Sequence, residues 1–260
     1  MKRFRFYLYA LIIGTCIIFA LFGYHYYAPP RLRQPYQLSP KLDDTLHIAY
    51  IGDSWAFMHN NHHCRIEQLI DDTLHLPVRV HTLGICGLTS KEIYEYLFDN
   101  SEFKHFLQKR TYKYCFISAG INDTYKKMSP SYYKTSMDGI IQFLIANHIH
   151  PIILEIPDYD IQKAFENQTP SRKMLRHISM FITGTPIDCK QLFRNSLNEL
   201  IQEKDYKNKV SVIRYKSWNN NYVDDQEQLY QYDGMHLNAK GYDVLDSIIA
   251  NHLADLSHTE

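Results

Sequence analysis

The sequence predicts an α/β domain in which helices cover both faces of a parallel sheet of about five strands, preceded by one apolar helix. Two observations in the 260-residue chain lead to this fold class. Short apolar runs alternate with longer helical patterns from residue 46 onward, and a run without charged side chains lies near the amino terminus. Strands that alternate with helices favour right-handed crossovers, and hence a three-layer α/β/α sandwich.

The amino-terminal segment is predicted to be a membrane-spanning helix. Residues 6–22 carry no charged side chain and follow the basic residues Lys2, Arg3 and Arg5. An apolar run of about 17 to 22 residues is long enough to cross the hydrocarbon core of a bilayer. Basic residues before the run favour a cytoplasmic amino terminus, so the rest of the chain would lie outside. We therefore expect residues 1–27 to be an uncleaved, single-pass anchor.

A cleaved signal peptide is the main alternative for this segment, and it would give a secreted or periplasmic protein. Such a peptide needs small residues at its exit site. Phe22, Tyr26 and Tyr27 instead place bulky rings there. Attachment of a lipid at Cys16 is disfavoured because Thr15 fits poorly before it and the apolar run continues beyond it.

The rest of the chain is predicted to be a linker followed by one domain. Residues 28–44 contain four prolines, which favour an extended tether. Residues 45–260 form the domain, with an inserted cap or loop in the irregular stretch 158–186. The predicted strands are 46–51, 78–83, 114–119, 152–156 and 210–215, and the predicted helices are 56–74, 90–108, 131–147, 172–181 with 188–203, and 239–256.

Charge and cysteine content limit the classes of partner and the redox chemistry. The chain has 28 basic and 28 acidic side chains, so it lacks the excess of basic residues typical of nucleic-acid binding. An exported domain permits disulfides, but the sequence does not determine how Cys64, Cys86, Cys115 and Cys189 would pair. Cys115 lies in an apolar strand pattern and is expected to be a buried thiol.

The first chemical motif, Gly52-Asp53-Ser54, follows the first predicted strand and precedes a helix. A serine at such a turn is exposed, and the helix amino terminus places a positive dipole near its oxygen. Taken alone, the motif is also what an ordinary helix cap requires.

Three further motifs lie later in the chain. Gly87 follows the second strand and can bring a backbone N–H close to an oxyanion, and the Asn122 amide after the third strand can donate to the same charge. His236 can act as a general base, and Asp233, three residues earlier, can fix its tautomer. Each motif alone has an ordinary explanation as a turn or a helix start.

The four motifs together, in this order, resemble the block pattern of the SGNH (GDSL-like) hydrolase family over about residues 46–256. The resemblance implies that Ser54 is the nucleophile, His236 its base and Asp233 the partner of that base. It also implies an oxyanion hole made by the backbone N–H groups of Ser54 and Gly87 and the side chain of Asn122. No cofactor and no metal are expected.

Two positions depart from the family pattern, and one cluster suggests a different site. Cys86 stands where serine is more usual, without an expected catalytic consequence, whereas Trp55 after the nucleophile is expected to narrow the pocket or shield the serine. His59 and His63 share a helix face and could bind a metal. No partner ligand is identifiable elsewhere, so a solvated polar helix face is preferred.

These observations predict a serine ester hydrolase that removes small acyl groups, most plausibly acetyl, from an envelope carbohydrate or a similar ester. The substrate rests on analogy, because a fold and a triad do not define it. Two alternatives are an O-acyltransferase with the same triad and a catalytically inactive glycan-binding envelope protein. Lipid or thioester hydrolysis ranks lower, because no long apolar stretch outside the anchor suggests a lipid-binding lid.

Overall fold

A five-stranded parallel sheet forms the centre of the computed structural model, which describes residues 2–39, 44–61, 65–217 and 222–257. The strand order is β2-β1-β3-β4-β5. This topology confirms the predicted fold class and agrees closely with the predicted strands. The strands are β1 Leu46–Gly52, β2 Val78–Gly84, β3 Tyr112–Ser118, β4 His150–Leu154 and β5 Ser211–Ile213.

Helices occupy most of the chain between the strands. A 3₁₀ turn at Tyr215–Ser217 follows the last strand. The α-helices are α1 Lys2–Tyr27, α2 Ser54–Asn61, α3 Ile66–Leu74, α4 Ser90–Asp99, α5 Ser101–Gln108, α6 Ile121–Lys126, α7 Pro130–Ala146, α8 Ile161–Glu166, α9 Pro170–Thr183, α10 Lys190–Glu203, α11 Tyr222–Leu229 and α12 Ala239–Ser257.

The core lies between the sheet and two helical layers. Helix α3 packs on α12, and α7 packs between α4 and α10. The central strands β1 and β3 are almost wholly buried, as expected for parallel strands covered on both faces. Burial of Ile48, Phe116 and Ile152 at the middle of the sheet fixes the register in which the strand ends meet.

Two predicted segments differ from the structure for local reasons. The predicted helix 90–108 is divided at Asn100, whose side chain accepts hydrogen bonds from the backbone N–H groups of Glu102 and Phe103 and so starts a new helix. The irregular stretch 158–186 contains α9, which agrees with the predicted helix 172–181, and also α8, a regular helix that was not predicted. Helix α9 begins after the cap residue Thr169 and ends at Gly184 in the left-handed conformation.

The amino-terminal helix α1 projects apolar side chains away from the domain. It is long and apolar enough to cross a membrane, and none of its most apolar window is buried. Only its carboxyl end contacts the domain: Tyr27 is buried beside Met128 and Tyr132, and its hydroxyl pairs with that of Ser179 in α9. By length and composition, the helix could therefore serve as a membrane anchor or as a signal sequence.

Residues 28–39 form an extended strap along the domain surface. Tyr36 packs its ring against Phe143 and donates its hydroxyl proton to a backbone carbonyl of α4. The Asn147 side chain donates to the Tyr36 carbonyl and accepts from the Leu38 N–H. Arg33 reaches Asp99 through two guanidinium hydrogen bonds of 2.6 and 2.8 Å. The strap is thus hydrogen-bonded to the domain over much of its length.

Candidate active site

The predicted site residues meet at the carboxyl edge of the sheet, where parallel α/β folds place their ligands. Ser54 follows β1, Gly87 lies in the turn after β2, and Asn122 lies one residue inside α6 after β3. Gly52 allows the ends of β1 and β3 to approach closely, because a Cβ atom there would lie 2.2 Å from the Ser118 hydroxyl oxygen. The small residue therefore sets the position of the serine that follows.

Ser54, His236 and Asp233 form a continuous chain of hydrogen bonds. His236 Nε2 lies 2.9 Å from Ser54 Oγ, and His236 Nδ1 lies 2.6 Å from Asp233 Oδ2. The serine is the first residue of α2 and is only 5 % exposed, so the expectation of an exposed serine is wrong: the turns after the neighbouring strands and the His236 loop surround it. The structure thus brings together three residues that are separated by as many as 182 positions in the chain.

The loop that carries His236 is fixed by its own hydrogen bonds. Asp233 Oδ1 accepts the backbone N–H groups of Met235 and His236, so the carboxylate caps the turn while its other oxygen holds the ring. Gly234 adopts the left-handed conformation, and its carbonyl accepts the Tyr222 hydroxyl proton. These contacts hold the histidine ring in place before any substrate binds.

The charge state of Asp233 suits its contact with the histidine. Partial burial acts to raise the pKa of Asp233, but hydrogen bonds from the His236 side chain, the His236 N–H and the Met235 N–H outweigh it and lower the pKa to about 2. The carboxylate is therefore ionised at neutral pH and favours the tautomer with a proton on Nδ1. That tautomer presents the Nε2 lone pair to the Ser54 hydroxyl, which is the arrangement needed to accept a proton from it.

Gly87 and Asn122 line the same pocket as the serine. The pocket has a volume of about 380 Å³ and also includes Met58, Tyr125, Ala164 and Met235. The Asn122 Nδ2 atom is buried and has no hydrogen-bond acceptor within the described part of the chain. Gly87 has φ +83°, a left-handed conformation that a side chain would strain. A free donor amide beside the serine is suited to a developing negative charge.

Two polar contacts that the sequence did not reveal support these donors. Asp123, next to Asn122, accepts hydrogen bonds from the Ser90 N–H and hydroxyl at 2.9 and 2.5 Å. Lys126 Nζ donates to the Gly87 carbonyl at 2.7 Å. Both contacts join the turn after β2 to the turn after β3, so they hold the two donor positions together. Neither has a sequence signal, because the partners lie more than 30 positions apart.

Asp53 is fully buried beside the serine. Its Oδ1 accepts the Trp55 N–H at 3.0 Å and the Ser118 hydroxyl proton at 3.4 Å. Its Oδ2 has no hydrogen-bond partner in the portion of the chain that the structure describes. Burial, only partly offset by the Trp55 hydrogen bond, raises the pKa of Asp53 to about 7. This carboxyl group differs sharply from Asp233, although both lie next to catalytic candidates.

Two expectations about neighbouring residues are wrong. Trp55 does not narrow the pocket; it is buried in the core with its ring against Tyr242. The ring is drawn inward because α2 turns that position toward α12. His59 is not on a solvated face either: it is buried, and its Nε2 lies 2.6 Å from Asp246 Oδ1. The second histidine of the suggested metal site, His63, lies outside the described residues.

The described cysteines are free thiols. Cys115 is buried within β3, as predicted, whereas Cys86 is exposed and lines the pocket beside Gly87. Cys189 is buried at the start of α10, and Cys16 is exposed on α1. Since Cys64 falls outside the described residues, its pairing stays open.

Comparisons with known proteins place this architecture in a family. The sequence profile of the GDSL-like Lipase/Acylhydrolase family matches residues 50–244, which include all five predicted site residues. A search of functionally curated proteins found none with significant similarity to the sequence.

Several solved structures share the fold at low sequence identity. A lipase/acylhydrolase from Enterococcus faecalis is 16 % identical with a TM-score of 0.55, over 81 % of this chain and 96 % of that one. The psychrotrophic esterase EstA from Pseudoalteromonas sp. is 15 % identical with a TM-score of 0.54, over 83 % and 100 %. A GDSL-like lipase from Bacteroides thetaiotaomicron is 16 % identical with a TM-score of 0.52, over 81 % and 88 %.

Proposed function

Because the chain belongs to the GDSL-like lipase/acylhydrolase family and is an ester-hydrolysing enzyme, we propose that Ser54, His236 and Asp233 are its catalytic triad. The observation that carries this proposal is the 2.9 Å contact between His236 Nε2 and Ser54 Oγ, with Asp233 on the opposite nitrogen of the ring. A serine hydroxyl is a weak nucleophile until a base removes its proton, and this geometry supplies the base.

In the acylation step, Ser54 Oγ attacks the carbonyl carbon of the ester while His236 Nε2 takes the hydroxyl proton. The ester carbonyl oxygen becomes an oxyanion, and the resulting imidazolium is stabilised by ionised Asp233. The tetrahedral intermediate then collapses, the bond to the alcohol oxygen breaks, and His236 returns its proton to the leaving alcohol. The products are the free alcohol and an acyl ester on Ser54.

Deacylation repeats the sequence with water. His236 takes a proton from a water molecule, the hydroxide oxygen attacks the acyl carbon, and Ser54 leaves with the proton held by the histidine. The products are the carboxylic acid and the free enzyme. If a sugar hydroxyl replaces water in this step, the same site acts as an O-acyltransferase.

We assign the oxyanion hole to the backbone N–H groups of Ser54 and Gly87 and to the Asn122 Nδ2 amide. The Asn122 amide supports this assignment most directly, because it is buried in the pocket wall without an acceptor in the described residues. Because this amide is already held in the pocket, it needs little reorganisation when the oxyanion forms. Such a preorganised donor lowers the free energy of the transition state.

The proposed substrate is a small acyl ester, acetyl first, on a carbohydrate of the cell envelope. The pocket of about 380 Å³ is near the lower end of the range for ligand sites, and side chains of Met58 and Ala164 line its apolar part. The polar side chains of Tyr125 and Asn167 also line it and offer hydrogen bonds to an alcohol component.

We further propose that α1 is an uncleaved anchor with the catalytic domain on the extracytoplasmic side. The helix exposes an apolar surface over a length sufficient to span a bilayer, and the basic residues Lys2, Arg3 and Arg5 lie in its first turns. This placement would bring the site close to envelope glycans.

The test uses a fluorophosphonate probe and a panel of esters. Labelling that is lost in Ser54→Ala, together with release of acetate from acetylated glycans, is the expected result. p-Nitrophenyl esters of increasing chain length should show falling kcat/KM beyond short acyl groups. A folded protein that takes no label would contradict the serine mechanism and favour an inactive glycan-binding protein. Transfer of acetyl to an added sugar faster than to water would favour the acyltransferase.

A further inference from the structure

Helix α9 has an apolar stripe that the domain does not cover. The helix is 14 residues long, begins after the cap residue Thr169 and ends at Gly184. Phe181 is 90 % exposed, although large aromatic side chains are usually at least partly covered in soluble proteins. The apolar stripe consists of Met174, Ile178, Phe181 and Ile182, at spacings of three and four residues or directly adjacent.

This stripe lies beside α1 rather than at a random place on the surface. An apolar groove of about 700 Å³ separates the two helices, and its wall on the α1 side is formed by Phe19, Ala20, Gly23 and Tyr24. The contact between the helices is fixed beyond the groove, where the Tyr27 and Ser179 hydroxyls pair. The exposed face of α9 is thus continuous with the exposed surface of α1.

The position of the groove along α1 sets its depth in a membrane. Phe19 lies eight residues before Tyr27, which corresponds to about 12 Å along the helix axis at 1.5 Å per residue. If the span ends at Tyr24 to Tyr27, the residues that face α9 lie at and below the boundary between headgroups and hydrocarbon. Helix α9 then lies at the same level.

The charges on α9 complement a lipid surface of negative charge. Arg172 and Lys173 are basic residues near the start of the helix, whereas Arg176 packs against Tyr125 of the domain; the helix contains no acidic residue. Amphipathic helices with basic polar faces and large apolar residues bind in the plane of the interface, where anionic headgroups attract them. A wholly apolar partner would offer no negative charge to these basic side chains.

We propose that α9 is an interfacial membrane helix whose apolar stripe inserts into an anionic phospholipid leaflet beside the outer end of α1. This inference rests on the proposed anchoring by α1 and goes beyond it, since it gives the domain a second, separate lipid contact. No long apolar stretch outside residues 1–27 suggested this contact, because the apolar residues of α9 are separated in the sequence and form a stripe only on the surface of the helix.

The same helix is connected to the catalytic pocket. The Arg176 guanidinium lies over the ring of Tyr125, 5.6 Å from its centroid, and Tyr125 lines the pocket. The ring of His177 contacts Phe165 of α8 at 5.3 Å between centroids, and Ala164 beside it lines the pocket as well. Insertion of α9 would therefore fix the height of the pocket above the membrane.

The experiment places a tryptophan on α9 in the full-length chain and measures its contact with lipid. Phe181→Trp is compared with Val223→Trp, a matched exposed apolar position on α11 that is 70 % exposed. Both proteins are reconstituted into vesicles of phosphatidylcholine and phosphatidylglycerol, with or without bromine on the acyl chains. Emission of the two native tryptophans is subtracted with the parent protein.

The proposal expects emission from position 181 to shift to shorter wavelength and to lose most of its intensity in brominated vesicles, while emission from position 223 does neither. Water-like emission from position 181, or a blue shift without quenching by bromine, would overturn it; the latter would show a second protein copy on the stripe. An alkaline wash separates the two proposals. Release of the full chain would overturn the anchoring by α1, and with it the placement of α9 beside that helix, whereas retention with unquenched emission from position 181 would overturn only the insertion of α9.

Discussion

The carboxyl edge of the sheet and the α1–α9 side of the domain are built in opposite ways. At the sheet edge, buried strands and short turns hold Ser54, Gly87 and Asn122 around one pocket, and hydrogen bonds join the turns to one another. On the other side, large apolar side chains such as Phe181 are exposed, and the contact between helices depends on few residues. The comparison separates the groups that we propose to perform the chemistry from those that we propose to determine where it takes place.

The largest expected effect tests the catalytic half of this comparison. Ser54→Ala and His236→Ala should each lower kcat by about 10⁴- to 10⁶-fold, because members of a triad act as one unit. The effect is measured with a soluble short-chain ester in detergent. Membrane retention of both variants should equal that of the parent protein. A variant that keeps parental kcat while folded would remove the triad assignment.

The oxyanion donor should have the next largest effect. Asn122→Ala should reduce kcat by about 10²- to 10³-fold, with a smaller change in KM, because the amide acts mainly on the transition state. Asn167→Ala is a matched control, since Asn167 lines the same pocket but is proposed to contact only the alcohol component of the substrate, so its loss should act mainly on KM. Equal losses in the two variants would indicate a general disturbance of the pocket.

The two carboxylates of the site predict opposite responses to pH. Asp53 has a folded-state pKa of about 7 against an ordinary value of 3.8, so it lowers stability progressively as pH rises from about 4 to 7. Asp53→Asn should remove this dependence and gain on the order of 3 kcal/mol at pH 7 relative to the parent. Asp233 has the opposite sign, since its lowered pKa gives a contribution that is lost only as pH falls from about 4 towards 2.

Chemical denaturation at pH 4.5 and pH 7 measures the Asp53 effect. Asp72→Asn, at an exposed position on α3, is the control and should show the same pH dependence as the parent. An Asp53→Asn variant with unchanged stability at pH 7 would contradict the high pKa of the buried carboxyl group.

A smaller effect is expected at Lys126, which holds the Gly87 carbonyl. Lys126→Met removes a charged hydrogen bond worth about 1.5–3 kcal/mol, of which only part should appear in the transition state, so kcat should fall about tenfold. Lys134→Met removes a surface lysine that contacts Glu199 and Glu203 instead, and it should leave kcat unchanged. If Lys126→Met changed KM but left kcat unchanged, the result would argue against a role of Lys126 in positioning the Gly87 N–H for the transition state.

The smallest effect is expected on the membrane side. A chain that begins at Tyr36 keeps the Tyr36 ring contact with Phe143 but loses the Arg33–Asp99 ion pair, in which both side chains are about half exposed. Exposed ion pairs contribute about 0–1 kcal/mol, so the shortened enzyme should remain folded, with kcat/KM for soluble esters within about twofold of the parent. It should no longer be retained by vesicles after an alkaline wash. Loss of activity would show that the two regions are coupled.

The difference between the two regions also explains what could be predicted from the sequence. Short motifs next to the strand ends suggested the roles of Ser54, Asn122, Asp233 and His236, and apolar runs predicted the strands themselves. The sheet topology then brings the strand ends together. Contacts such as Lys126 to Gly87 have no motif, because they join positions that become neighbours only in the folded chain.

The wrong expectations have the same origin. Whether Trp55 faces the pocket or the core depends on how α2 is rotated against α12, and a periodic pattern over so short a helix does not determine that rotation. The break at Asn100 was missed because an asparagine can lie inside a helix or cap one. Its side chain caps α5 because it accepts hydrogen bonds from the N–H groups of Glu102 and Phe103, which the sequence pattern does not reveal.

The docked strap has a consequence for the range of substrates that an anchored enzyme can reach. If residues 28–39 were a flexible tether, their average end-to-end distance would be about 20 Å. The pocket would then reach esters over a wide range of distances from the membrane. The Asn147 contacts with Tyr36 and Leu38 remove most of that freedom. An ester at the right height then encounters the site at a high local concentration, whereas a chemically identical ester farther out is rarely met. Distance from the membrane would thus act as a criterion of selectivity, independent of the shape of the pocket.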